Sequence, residues 1–277
     1  MHTSKPARSP YAPTLRLVPT KGSALPNPHE YRSMVGSLHY LTFTHPNMSF
    51  SVHQVCQFMA NPTDTHLIAT KRILRYLKGT LHFGIFLQHG PLSLSAFFDL
   101  DWAGDPFDRH STTGYLVYLG YNPITWSAKK QDTVSRSSTE SEYRALATTA
   151  AELSWLRQVL RDLGIFLPTP PNLWCDNVNA LTIASNLVFH ARTKHVEVDY
   201  HFVRERVLRM DLQVKYVVTR DQLADIFTKS LSIARFCFLR SKIMVFVDPM
   251  VLRGDVKGSN SDYRVFKPDE EEEKSNG

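Results

Sequence analysis

Leu92-Ser93-Leu94-Ser95-Ala96-Phe97-Phe98-Asp99 decides the fold of this chain. After the Gly90-Pro91 break the pattern changes period: Leu92, Leu94, Ala96 and Phe98 alternate with Ser93, Ser95, Phe97 and Asp99, which is the alternation of a strand. Such a strand sets Asp99 on the face opposite the aliphatic one.

Working downstream, Thr113 to Leu119 and Ile124 to Lys129 are two further strands joined through Gly120-Tyr121-Asn122-Pro123, a hairpin signal. Ser137 to Leu163 is a long helix with Leu146, Ala150, Leu153, Leu156, Leu160 and Leu163 as its inner stripe. A strand at Asn172 to Asp176 follows, then helices at Val178 to Ser185 and Val196 to Leu208, a strand at Gln213 to Val218 and a helix from Asp221 to Ser230. Three antiparallel strands followed by strand–helix alternation predict an α/β fold with a mixed sheet flanked by helices.

Working upstream, Tyr31, Met34, Val35, Leu38 and Leu41 recur at helical spacing; a second run holds Phe50, Val52, Val55, Cys56 and Met59, and a third spans Thr65 to Leu77. These predict a small helical subdomain over residues 29–90, behind a proline-rich extended lead-in over 1–28. The third helix carries Lys71, Arg75 and Lys78 on one face, either a phosphate-tracking stripe or an ordinary solvated face. The sheet domain occupies 91–246, and 247–277 is an expected disordered acidic tail ending in Asp269-Glu270-Glu271-Glu272-Glu273.

The chain has 277 residues and a net charge of +6. Eight acids and five bases from Asp248 onward put −3 on the last thirty residues and +9 on the rest, a balance suited to a polyanionic partner. Cys56, Cys175 and Cys237 are too scattered for a disulfide framework or a zinc pair. His190, His195 and His201 place no two rings at i and i+4, so zinc is not expected there either. Without an apolar leader or a membrane-length apolar run, the expected location is cytoplasmic or nuclear.

Four acids occupy strand ends and helix starts of one sheet edge: Asp99, Glu142, Asp176 and Asp225. Each has an ordinary structural explanation. Asp99 can open a turn, Asp176 can cap a helix, Asp225 can face a helix dipole, and Glu142 can pair with Thr139 in a capping box, a task Ser137 and Glu140 could also perform. Together they suit a hard divalent cation held by oxygen ligands, and two such ions are the usual apparatus of phosphodiester cleavage.

Six separated segments carry a resemblance: Asp99-Leu100-Asp101-Trp102-Ala103-Gly104-Asp105, Ser111-Thr112-Thr113-Gly114-Tyr115, Ser135 to Tyr143, Cys175-Asp176-Asn177, Thr193-Lys194-His195 and Ala224-Asp225-Ile226-Phe227-Thr228-Lys229. In this order they resemble the ribonuclease H domain of copia-type retrotransposon Pol polyproteins. Tyr31 to Leu38 and Lys71 to Gly79 resemble the segment that follows the polymerase active site in the same polyproteins. The resemblance implies a ribonuclease H-like fold with a five-stranded mixed sheet, and hydrolysis of the RNA strand of RNA–DNA hybrids to a 3′-hydroxyl and a 5′-phosphate. It assigns two Mg²⁺ ions, with Mn²⁺ as substitute, to Asp99, Glu142, Asp176 and Asp225. Asn177, Lys194 and His195 join the basic stripe as candidate hybrid contacts, with packing of the fourth helix as the alternative for Lys194-His195, and the resemblance implies the polymerase part of Pol as a partner, with no membrane and no small-molecule cofactor.

No Tyr-x-Asp-Asp polymerase motif, Asp-Ser/Thr-Gly protease motif or His-His-Cys-Cys integrase site occurs, so a C-terminal piece of Pol is expected. Phe97, Phe98 and Leu100 are bulkier than the family's usual Tyr-Ser-Asp-Ala-Asp around Asp99, which predicts a crowded Asp99. The rivals are a catalytically inactive nucleic-acid-binding relic and an integrase-like nuclease. The latter would place its Glu last among the acids, whereas here the order is Asp, Glu, Asp, Asp.

Overall fold

The computed structural model of the protein describes residues 4–105, 107–178 and 197–246. Three helices precede the sheet: α1 (Pro28–Leu41), α2 (Ser49–Cys56) and α3 (Asp64–Lys78). Asn27 starts α1, its side chain accepting from the His29 amide at 3.0 Å, with Pro28 in the first turn where a missing amide costs nothing. Tyr31, Val35 and Leu38 then bury one stripe. The lead-in carries no helix over residues 4–27, yet it is seated on this unit: Tyr11 and Leu17 are buried, and the Ala7 amide donates to the Arg75 carbonyl at 3.1 Å.

After the short strand β1 (Phe83–Gly84) come β2 (Leu94–Asp101), β3 (Thr112–Leu119) and β4 (Asn122–Lys130), the long helix α4 (Ser138–Asp162), β5 (Asn172–Cys175), α5 (Glu197–Leu208) and β6 (Gln213–Tyr216). The sheet order is β4-β3-β2-β5-β6. The first three strands pair antiparallel, and β5 and β6 add in parallel on the far side of β2. This is a five-stranded mixed sheet, as the resemblance implies. α6 (Asp225–Thr228), α7 (Ile233–Ile243) and β7 (Val245–Phe246) close the described chain, with β7 pairing antiparallel to β1.

Both faces of the sheet are covered, which is why β2 is apolar on both sides. Ala96 and Phe98 pack with Leu146, Leu153, Tyr200 and Val203 under α4 and α5. Phe97, Leu116 and Tyr118 pack with Tyr31, Val35, Ile73, Phe227 and Leu239, so the N-terminal helices and the sheet share one core.

The boundaries differ from the sequence reading in three places. The β3–β4 loop is only Gly120-Tyr121, Leu119 pairing with Asn122, and Pro123 lies inside β4. β4 is an edge strand, where a residue without an amide is tolerated. The helix expected from Asp221 to Ser230 is broken: Gln222 is extended, its buried amide donates to the Phe98 carbonyl at 3.0 Å, and its oxygen accepts from the Ala224 amide at 3.2 Å. That anchoring to β2 outweighs helix continuation and leaves only the single turn α6. α7 and the short β1–β7 pair are elements the sequence reading lacks, although Ser232 caps α7 and Phe236, Leu239 and Ile243 form its buried stripe.

Of the expected helix at Val178 to Ser185, all beyond Val178 lies outside the described residues, as do Lys194, His195, His190 and the acidic tail. Among the described residues no helix is long and apolar enough to cross a membrane.

Candidate active site

Asp99 is near the C-terminal end of the central strand and only 6% exposed. It shares a face with Phe97, toward α6, while Phe98 and Leu100 turn to the α4 side. The expected crowding of Asp99 is therefore absent. Phe98 fills the core beneath α4, and the β2–β3 register runs unbroken from Leu94 to Asp101. β5 runs parallel beside β2 with Phe97 opposite Trp174, and it ends at Cys175, one residue short of the expected strand end, so that Asp176 follows directly on the strand.

Asp225 reaches the same edge because α6 lies unusually close to β3. Gly114 is opposite Asp99, and a Cβ there would come within 2.6 Å of the Phe227 Cβ and 2.7 Å of the Thr228 Cγ2. The missing side chain admits the turn that carries Asp225, Thr228 and Lys229. Asp225 is 5% exposed and pairs with Lys229 at 2.9 Å and with Arg235 at 2.9 Å. The same Lys229 ammonium stands 3.0 Å from Asp99, and the Thr228 hydroxyl donates to Asp99 as well.

Glu142 is free of capping duty. Ser137 caps α4 by accepting from the Glu140 amide at 3.1 Å, and Glu140 accepts from the Arg136 amide at 2.8 Å and pairs with Arg144 at 2.7 Å. That settles the two capping alternatives in favour of Ser137 and Glu140. Both Glu142 oxygens lie 2.6 Å from the Asn177 side-chain amide, so Asn177 orients an acid of the site.

Burial pushes the Asp99 carboxyl up to about 6; Lys229 opposes the rise and Asp225 adds to it. Burial also raises Glu142, with the Asn177 hydrogen bond and Lys229 opposing and Asp176 reinforcing. Asp101 is raised by burial against Lys229 and Arg16. For Lys229 burial works downward, but the two carboxylates outweigh it and the ammonium is held well above its usual range. Cys175, next to Asp176, is buried and its thiol is pushed up to about 12, which makes it inert.

Of the four expected acids, Asp99 and Asp225 are brought together through Lys229, whereas Glu142 is held by Asn177, the residue after Asp176, whose charge it feels. Among the described residues no three His, Cys, Asp or Glu side chains stand close enough together to hold a metal ion. The donor set itself, all carboxylate oxygen, is of the kind that suits a hard divalent cation, although in this structure Thr228, Lys229 and Arg235 already donate to the oxygens of Asp99 and Asp225. Thr228 and Lys229 belong to the Ala224–Lys229 segment that carries the resemblance, yet neither they nor Arg235 receive a role from the sequence. The available signal for Lys229 was its i+4 spacing from Asp225.

The basic stripe of α3 is partly engaged. Arg75 donates to the Lys5 carbonyl at 2.8 Å and Lys78 to the Ser4 carbonyl at 3.2 Å, while Lys71 is exposed.

No protein-family model matches the chain. It is 52% identical over 246 residues to the retrovirus-related Pol polyprotein from transposon RE1 of Arabidopsis thaliana, covering 88% of this chain and 17% of that protein. It is 37% identical over 238 residues to the corresponding polyprotein from transposon TNT 1-94 of Nicotiana tabacum, covering 83% of this chain and 18% of that protein. Among solved structures, LC11-RNase H1, isolated from compost by a metagenomic approach, aligns over 50% of this chain and 93% of its own at a TM-score of 0.38 and 12% identity. At 52% and 37% identity over most of its length, and spanning about a sixth of those polyproteins, the chain belongs to the retrovirus-related Pol polyproteins of transposons.

Proposed function

We propose that this chain is a ribonuclease H-type endonuclease that hydrolyses the RNA strand of RNA–DNA hybrids, working beside the polymerase part of a Pol polyprotein. The observation that carries this reading is the buried pairing of Asp99 and Asp225 at the edge to which β5 delivers Asp176 and α4 delivers Glu142.

Asp99, Glu142, Asp176 and Asp225 would hold two Mg²⁺ or Mn²⁺ ions. When bound, such ions activate water and stabilise the leaving oxygen of the phosphodiester. The chain's own groups supply the rest. Asn177 fixes the Glu142 carboxylate, and Thr228 and Lys229 fix that of Asp99. Selection of RNA rests on the 2′-hydroxyl beside the scissile phosphate. The +9 body, with Lys71, Arg75, Lys78, Lys194 and His195 as candidate contacts, holds the hybrid through its phosphates.

A second reading, a non-catalytic hybrid-binding relic, is favoured by one feature: a lysine compensates the acid pair in place of a three-ligand group. Incubating the full chain with labelled hybrid and Mg²⁺ or Mn²⁺ separates them. Cleavage that is lost in Asp99→Asn and in Asp176→Asn, but largely kept in Asp101→Asn, supports the nuclease. Tight hybrid binding without cleavage in either metal replaces it with the relic.

A further inference from the structure

Every oxygen of the buried pair already has a donor. Lys229 Nζ is 3.0 Å from Asp99 Oδ1 and 2.9 Å from Asp225 Oδ1, the Thr228 hydroxyl takes Asp99 Oδ2, and Arg235 takes Asp225 Oδ2 at 2.9 Å. Three donors are not equally free to leave. Thr228 is fully buried, and Arg235 is also held by the Thr219 carbonyl at 2.7 Å and the Gln222 carbonyl at 3.5 Å. Lys229 is different: its side chain is 38% exposed and stands on a flexible four-carbon stem. It also stands between the two carboxylates, within 3.0 Å of Asp99 and 2.9 Å of Asp225.

We infer that Lys229 is a displaceable internal cation that competes with the divalent metal for the Asp99–Asp225 pair. This rests on reading the acids as a metal site. Two buried carboxylates side by side repel strongly at low dielectric, and a cation between them removes most of that cost. Lys229 supplies that cation from within the chain, so the edge folds without metal. Metal enters when the ammonium swings out to water, and the apparent affinity is the intrinsic one reduced by the fraction of molecules in which Lys229 has withdrawn. The exchange also explains why the acids are divided: with Lys229 seated, Asp99 and Asp225 turn toward it, and Glu142 is left to Asn177.

The test is Mn²⁺ binding to the full chain, followed by the electron paramagnetic resonance of free Mn²⁺, for wild type, Lys229→Met and Lys229→Arg. If the withdrawn state holds about a tenth of the population, the Met variant binds about tenfold more tightly. Its melting temperature without metal is below wild type and rises further on adding Mn²⁺. Lys229→Arg, which keeps a cation in place, stays near wild type. If Lys229→Met does not fold, Lys229→Gln gives the same reading. Equal or weaker binding by the neutral variants, with wild type still binding, overturns the competition and leaves the metal site standing. Tightening by Arg as large as by Met also overturns it, because packing and not charge would then set the affinity. Absence of Mn²⁺ binding in every variant overturns the competition and the metal-site reading together.

Discussion

Gly114 stands opposite Asp99 across the β2–β3 ladder, and the space left by its absent side chain is where Phe227 and Thr228 come down onto the sheet. One position on a neighbouring strand thereby sets how near Asp225 and Lys229 come to Asp99. Gly114→Ala would force a Cβ to within 2.6 Å of Phe227. Overpacking of this kind costs about 1–3 kcal/mol. The expected outcome is a lower urea midpoint together with weaker hybrid cleavage, because α6 must lift away. An unchanged midpoint would mean that the close approach is not required.

The Asp99 carboxyl, raised by burial from 3.8 to about 6, binds its proton more tightly in the folded chain than in the unfolded one. The folded state therefore holds more protons between those values, and stability falls as pH rises through that window and stays reduced above it. Asp99→Asn removes the effect. It should stabilise the chain at neutral pH by on the order of 1–3 kcal/mol, with the gain disappearing below about pH 4. Urea unfolding at several pH values reads this directly, and a gain that persists unchanged at low pH would refute it.

Arg75 and Lys78 grip the lead-in through its backbone carbonyls, whereas Lys71 is exposed on the same helix. The double change Arg75→Ala with Lys78→Ala should speed tryptic cutting after Arg8 and Arg16, and Lys71→Ala should not. Conversely, Lys71→Ala should flatten the salt dependence of hybrid binding by about one phosphate contact. Identical proteolysis of all three chains would count against the clasp.

Phe98→Ser is expected to disrupt the fold and not to improve the site. Phe98 is buried beneath α4 with Leu146 and Leu153, and truncating such a phenylalanine costs about 3–5 kcal/mol, before adding an unpaired hydroxyl. Thermal melting should show a large drop. A melting temperature at or above wild type would show instead that the residue strains its surroundings.

Local pattern made most of the sheet legible, and tertiary partners account for what it missed. Leu94, Ala96 and Phe98 announce β2 by alternation, and Tyr31, Val35 and Leu38 announce α1 by helical spacing. The broken helix after β6 could not be read this way, since it depends on Gln222 bonding to a carbonyl more than a hundred residues earlier. Tyr11 and Leu17 look isolated among prolines because their burial is against helices far along the chain. In the site, Asp99, Asp176 and Asp225 could be placed from strand and helix ends. The compensating role of Lys229 needed the distance across α6 to β2, which Gly114 controls.

The core shared by α1, α3, β2, β3, α6 and α7 bears on how such a segment can be inherited. Trp126 of β4 donates to the Thr42 carbonyl at 2.8 Å, and Tyr76 of α3 meets both Asn47 and Arg240. A recombination joint at Gly90-Pro91, where the sequence looks most divisible, would hand the descendant a sheet whose Phe97, Leu116 and Tyr118 keep Phe227 and Leu239 but lose the cover of Tyr31, Val35 and Ile73. Exchange between elements should therefore keep the helical unit and the sheet together as a single transmissible block, with one melting transition in place of two.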